Sequence, residues 1–375
     1  MKLTDSSAAN VGATVVNAIA SIANSLYNFH VLATTTISKV ISGALGVVKT
    51  GIGTLIFSNI NSYSGTTTVN AGTLRLQAAA TGFYNTNRTY NINNGSGLVF
   101  ATGVATNPVL QGTIINFDSN GGATITLDAI NGLIQTSEGV IFNSNGGLQN
   151  RLISLNSGFI NDQGGNRPLV FNIASGINAT ADFLADCVVI GRCELTKNGS
   201  GKLLFSGGLL GTFGDGVTNI RINSGTMEIG GASASFLNQK SGSLFLNNGT
   251  FIWNSTAANQ TISNAITGTG NIIKRNSGNL IFSGNNSYTG YTSIEAGTLR
   301  AIKTTGASTA TATFGTGLSV SFNVSPPSGI TTDFRFFQGT TTQSYAPGVI
   351  SLSGVPVDTT ATYTSATSTL SVIVP

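Results

Sequence analysis

The side chains that could do chemistry in this sequence are few and scattered. His30 is its one histidine, so neither a Ser-His-Asp relay nor a two-histidine metal site can be assembled within one chain. Among the 13 acidic residues, Asp182 and Asp186 in TADFLADC come closest to a carboxylate pair. They could face the same way only if that segment turns helically. Glu228 occupies a repeat position filled elsewhere by Arg75 and Arg300, which marks an outward row rather than a catalyst. Cys187 and Cys193 are the two cysteines. One straight strand would hold them ~20 Å apart, and only a reversal at Gly191 would let them bridge. No P-loop or dinucleotide fingerprint leads from a strand into a helix. The reading is a non-enzyme with no catalytic residue, no cofactor and no metal site.

The elements that would position any site are set by repetition. Ile41 to Arg75, ISGALGVVKTGIGTLIFSNINSYSGTTTVNAGTLR, recurs without a gap as Ile266 to Arg300, ITGTGNIIKRNSGNLIFSGNNSYTGYTSIEAGTLR. A degraded third copy lies between them, with Glu194 to Phe205 matching the first half and Asn223 to Met227 the second. Repetition of one Gly-punctuated, β-branched unit is the signature of a solenoid. Strand alternation puts Leu55, Leu203 and Leu280 inside with Phe57, Phe205 and Phe282. It puts Ile56, Leu204 and Ile281 on the opposite face, where a solvated solenoid would carry polar residues. Another strand layer or a second subunit is expected to cover them.

Three runs characterise the unit: Lys-(x)3-Gly-x-Leu-x-Phe-Ser, Asn-Ser-Tyr-(Ser/Thr)-Gly, and Ala-Gly-Thr-Leu-Arg. They fall at Lys49, Gly53, Leu55, Phe57, Ser58, Asn61, Ser62, Tyr63, Gly65 and Ala71 to Arg75, and again at Lys274, Gly278, Leu280, Phe282, Ser283, Asn286, Ser287, Tyr288, Gly290 and Ala296 to Arg300. On these residues the unit resembles the autotransporter-associated β-strand repeat of secreted bacterial passenger regions. The resemblance implies a right-handed parallel β-helix displayed outside a cell, as an adhesin or a stalk. It covers the repeat units only, without a segment that reads as a translocating barrel.

Composition agrees with that fold. Charged residues make up 8% of the chain, against ~25% in ordinary globular domains. Thr, Ser, Asn and 48 glycines replace them, which suits short strands joined by corners that need φ > 0. The 17 basic residues form no cluster, so nucleic acid is not an expected partner. Lys49, Lys197 and Lys274 share one repeat position and are expected on a solvated face, while Tyr63 and Tyr288 are expected to pack corners. No run approaches the length of a membrane span.

The expected fold class is all-β: a parallel β-solenoid over 41–302, with a short N-terminal α-helix within 1–40 and a C-terminal β-cap over 303–375. Val15, Ile19, Ile22, Leu26 and Phe29 follow a heptad-like spacing. They would form either a helical cap or, with Ile56, Leu204 and Ile281, an oligomer interface favouring a trimer. His30 would then be a helix-end or interface residue. The functional expectation is a self-assembling structural fibre, with a virion component on the virion surface preferred. Its partners would be further copies, other virion or surface structural proteins, and cell-surface glycans. The alternatives are a bacterial cell-surface or extracellular adhesin or filament subunit, and a polysaccharide-binding or depolymerising β-helix.

Overall fold

The computed structural model describes residues 2–4, 26–78, 83–102, 108–128, 133–135, 139–155, 159–177, 180–206, 219–231, 243–256, 260–262, 265–282, 288, 290–295, 298–303, 311–314, 319–324, 335–337, 351–353, 360–364 and 369–373. These fall into two compact units: Met1–Cys193 with Gly199–Leu204, and Glu194–Asn198 with Phe205–Pro375. Both are all-β, and both are built from parallel ladders.

In the first unit, one ladder stacks Tyr27–His30, Val47–Thr50, Thr67–Val69, Thr89–Ile92, Thr113–Phe117, Val140–Ser144 and Phe159–Ile173. The other stacks Thr35–Ile37, Thr54–Phe57, Thr73–Ala78, Gly97–Thr102, Thr124–Asp128, Asn150–Ser154 and Phe183–Asp186. The chain crosses between the two ladders once per half-coil, which makes a parallel β-solenoid. Alternation is strict: in Thr113–Phe117 the first, third and fifth side chains are buried and the other two are not. Inward rings of the two ladders meet edge to face, with Phe29 and Phe57 at 5.7 Å and Phe117 and Phe183 at 5.5 Å. Phe142 and Phe171, on neighbouring coils, stack at 4.9 Å.

The coils are not of equal length. Residues facing each other along the first ladder are 20 positions apart at His30 and Thr50, then 23, 25, 27 and 29 apart by Asn143 and Asn172. The added residues form a further short ladder of Phe83–Thr86, Pro108–Gln111 and Leu133–Gln135, which joins the long strand Phe159–Ile173.

The second unit has three ladders. Asn219–Ile222, Leu244–Leu246 and Ile266–Gly268 form one, and Thr226–Gly231, Thr250–Ser255, Asn271–Lys274 and Tyr291–Ile294 form the next. Gln260–Ile262, Asn279–Phe282, Thr298–Lys303 and Ser319–Val324 form the third. This last ladder ends in antiparallel pairing, Ser319–Val324 with Thr369–Ile373 and that strand with Thr360–Thr364. Parallel pairing elsewhere continues to Ser351–Ser353, so it runs past residue 302.

Leu55, Phe57, Leu203, Phe205 and Leu280 are fully buried and Phe282 nearly so, as the alternation requires. The N-terminal helix is where expectation and structure part. Val15, Ile19 and Ile22 lie outside the described residues. Phe29 and His30, however, stand in the strand Tyr27–His30, paired in parallel with Val47–Thr50. Phe29 points into the core, while Leu26 precedes the strand and is exposed. The reason is that Tyr27, Phe29 and Val31 form a period-two set, all buried, which overlaps the end of the heptad-like one. Parallel pairing with the next coil favours the two-residue period, and the solenoid begins ahead of residue 41.

Phe57→Ala should lower unfolding stability by about 3–5 kcal/mol, because its ring is fully buried and packs edge to face on Phe29. Denaturant unfolding of the two proteins measures this, and equal midpoints would contradict the core assignment.

Candidate functional site

The chemistry-bearing residues of the repeat lie at the corners. Lys49 occupies the third position of Val47–Thr50, flanked along the ladder by Phe29 and Val69. Its side chain is fully buried. The ammonium donates to the carbonyls of Thr50 at 3.1 Å, Gly51 at 2.6 Å and Ala71 at 2.9 Å. An ammonium has three N–H donors, and here each meets an acceptor. Gly51 turns the corner at φ +77°, a conformation that presents its carbonyl inward and suits glycine. Ala71 belongs to the Asn-Ala-Gly turn of the next coil, so the lysine ties one corner to the one above it.

The same construction recurs at the other two copies. Lys197 is fully buried and donates to Asn198 O at 2.8 Å and Ser224 O at 3.3 Å, with Gly199 at φ +80°. Lys274 is fully buried and donates to Arg275 O at 2.7 Å and Asn276 O at 2.6 Å, with Asn276 at φ +65°. The expectation that this lysine row lies on a solvated face is therefore incorrect. The corner carbonyls point inward and must be hydrogen-bonded, and a buried four-carbon stem carries the ammonium to them. A signal for this was present in the sequence. Each lysine is followed two residues later by Gly or Asn, the types that tolerate a left-handed corner.

Coils without the lysine satisfy corner carbonyls or corner amides with other side chains. The Ser96 hydroxyl lies 2.8 Å from Val69 O and 2.6 Å from Asn93 O. Buried Asn150 donates to Ser144 Oγ at 2.9 Å and accepts from the Ala123 amide at 3.0 Å. Asp182 is nearly buried, and its two carboxylate oxygens accept the amides of Gly176 and Lys202, each at 2.7 Å. That fixes its role as a corner brace. Asp186 ends the strand Phe183–Asp186 and is exposed, so the segment is extended rather than helical and the two carboxylates have different environments.

Other acidic groups are also engaged. Glu228 is buried, receives Asn254 Nδ2 at 2.7 Å and lies 3.7 Å from the Arg275 guanidinium. Its strand position faces outward by alternation, as its repeat alignment implied, but these two side chains cover it. Arg75 pairs with Asp128 at 2.6 Å, Arg221 with Glu194, and Arg275 with Glu295 at 2.6 Å. Among the described residues, no three His, Cys, Asp or Glu side chains gather as a metal site. Cys187 is a free, buried thiol whose pKa burial pushes up to about 12.

Tyr63 and Tyr288 are buried and pack corners rather than facing solvent. The Tyr63 hydroxyl lies 2.6 Å from Thr67 Oγ1, and the Arg88 guanidinium lies over its ring at 4.8 Å. Ile56, Leu204 and Ile281 are half-buried on the outward face. His30 is half-exposed, with Nδ1 3.1 Å from Thr50 Oγ1.

The outward face of the first ladder carries a feature that sequence reading missed. Asn91, Asn116, Asn143 and Asn172 face outward in register on consecutive strands. Their side-chain amides are linked at 2.9, 2.8 and 2.7 Å. The steadily growing spacing between them hides this row from any search at a fixed period.

The Passenger-associated-transport-repeat family matches residues 47–76 and 272–301, each a segment that opens with a stapled corner and closes in the next coil. The two matched segments are the two full copies of the repeat read from the sequence. Over 257 residues, 68% of its own length, the chain is 29% identical to the Adhesin BmaC autotransporter of Brucella suis biovar 1 (strain 1330). It spans 7% of the length of that protein. No solved structure matches the chain.

Burial lowers the pKa of Lys49 and of Lys274 from 10.5 to about 8, so both remain protonated at pH 7. Replacing Lys49 with Met keeps the stem but leaves the corner carbonyls unanswered, and should cost about 2–5 kcal/mol at pH 7. The pH dependence has a defined sign. Below about 8, folded and unfolded chains both carry the proton and the difference is flat. Between about 8 and 10.5 the folded lysine has lost its proton while the unfolded one keeps it. Wild-type stability relative to Lys49→Met therefore rises with pH there, by at most about 1.4 kcal/mol per unit. Denaturant unfolding of both proteins across this range checks it, and a falling difference would contradict the buried assignment.

Proposed function

We propose that this chain is a stretch of a bacterial cell-surface or extracellular adhesin, a non-catalytic β-solenoid that holds an adhesive surface away from the cell. The observation that carries this reading is the double occurrence of the passenger repeat on equivalent stapled strands and corners. The likeness to an autotransporter adhesin adds to it. Both support the cell-surface alternative raised by the sequence, and neither supports the virion component that was preferred to it.

A non-enzymatic role is supported by how the carboxylates are spent. A hydrolase needs two whose environments set them apart as acid and base. Here Asp182 braces a corner, Glu228 is covered by Asn254 and Arg275, and Asp128, Glu194 and Glu295 are each held by an arginine. A chain with so little charge and such regular ladders is suited to repeated weak contacts along its length.

The test is to fuse the chain to an unrelated outer-membrane anchor on a non-adherent bacterium and count cells retained on host-cell monolayers. Retention should exceed that of the anchor alone severalfold. Equal retention would sink the adhesin reading. Incubation with bacterial or plant polysaccharides should release no reducing ends, and turnover abolished by Asp186→Asn or Glu228→Gln would establish an enzyme instead.

A further inference from the structure

We propose that the outward face formed by Thr89–Ile92, Thr113–Phe117, Val140–Ser144 and the last turn-ward residues of Phe159–Ile173 is a binding surface for a linear neutral glycan. The proposal rests on the adhesin reading and names the chemistry that the adhesive surface would recognise.

A side-chain amide has two N–H donors and a carbonyl oxygen with two lone pairs. In Asn116 and Asn143 the ladder uses one N–H and one lone pair of each. Asn91 likewise accepts from Asn116, and makes a long 3.5 Å contact to Thr68 Oγ1. Each of these amides keeps one donor and one acceptor for the outside. Because the ladder bonds hold the amide planes in one orientation, the remaining valences repeat at the strand spacing of about 4.8 Å. They are pre-oriented, so a ligand need not pay for ordering them.

Beside this row runs a second one. Ile114, Ile141 and Val170 stand in register on the same face and are half-buried. A strip of paired donors and acceptors next to an apolar strip fits a sugar polymer, whose hydroxyls both donate and accept and whose ring faces are apolar. The outward positions of Thr89–Ile92, Thr113–Phe117 and Val140–Ser144, together with Val170 and Asn172, carry no Asp, Glu, Lys, Arg or His. Of the described charges that flank these strands, Arg88 lies over the Tyr63 ring with its Nη1 buried, and Asp118 accepts the amides of Asn94 and Gly121 at 3.0 and 3.1 Å. A carboxylated or sulfated polymer would find no cation here, and a basic peptide no anion.

The experiment titrates the full chain calorimetrically with linear oligosaccharides of glucose, mannose, galactose and N-acetylglucosamine, and with oligogalacturonate as the anionic comparison. At least one neutral oligomer should bind, with an affinity unchanged between low and high salt. The double variant Asn116→Val, Asn143→Val keeps strand-forming residues but removes the amides, and should bind about 10-fold more weakly. Thr126→Val, on the outward face of the other ladder, should bind as wild type. Circular dichroism and thermal melts check folding. If the double variant is unfolded, the single variant Asn116→Thr carries the same readout.

Binding unchanged in the variants, preference for the anionic oligomer, or no binding by any neutral oligomer would overturn the proposal. So would concentration-dependent self-association that the variants abolish, since the face would then meet a second copy of this chain. Adhesion of the displayed double variant separates the two readings. Retention equal to wild type would leave the adhesin assignment standing while removing the glycan face from it.

Discussion

A buried polar contact at each turn is the condition on which this solenoid depends. To pass from one ladder to the next the backbone must leave the strand conformation, and its carbonyls then point into an apolar interior. Left unpaired, each would cost more than a core methylene contributes. Lys49, Lys197 and Lys274 meet that demand with an ammonium that donates to two or three corner carbonyls. Ser96 meets it with a hydroxyl, while Asn150 and Asp182 answer the backbone amides of other corners by accepting from them. The different chemistries explain why the repeat can drift until it is hardly recognisable while the coils keep stacking. What must persist is an answered corner, not a particular residue.

The staple also explains the coupling between two halves of the repeat that look unrelated in sequence. The lysine run and the Ala-Gly-Thr run are separated by more than a strand, yet Lys49 Nζ bonds to Ala71 O and Lys197 Nζ to Ser224 O. A substitution at one end is therefore felt at the other. Corner geometry adds a steric condition: a Cβ on Gly65 would lie 2.3 Å from Gly46 N, and one on Gly290 2.1 Å from Gly270 O. Successive backbones approach too closely there for any side chain.

With stability supplied from inside, the outer surface is free to be plain. Among the described residues Arg75, Arg221 and Arg275 are each paired with a carboxylate, and the asparagine row of the first unit forms a continuous amide ladder. Amide ladders of this kind polarise along their length and hold neighbouring coils in register, so the row is structural along one direction and available for contact in the other. That division of labour suits a surface protein whose contacts are repeated rather than concentrated in a pocket.

How much of this was legible beforehand depends on whether the cause was local. The parallel fold, the inward Leu55, Phe57, Leu203, Phe205, Leu280 and Phe282, and the corner packing of Tyr63 follow from two-residue alternation and gap-free repetition, which are properties of neighbouring residues. The sequence by itself therefore determined the fold class and the inner face. The burial of Lys49, Lys197 and Lys274 did not follow, because a lysine is buried only where backbone carbonyls from two coils converge on it. Nor did the row from Asn91 to Asn172, since coils that lengthen from 25 to 29 residues bring the asparagines together only after the strands have found their register. Likewise Phe29 fits a helix when read along the chain, and becomes a core residue once Tyr27–His30 pairs with Val47–Thr50. Tertiary structure alone decided these, because burial and inter-coil hydrogen bonds are set by residues that are distant along the chain and adjacent only in the stacked coils.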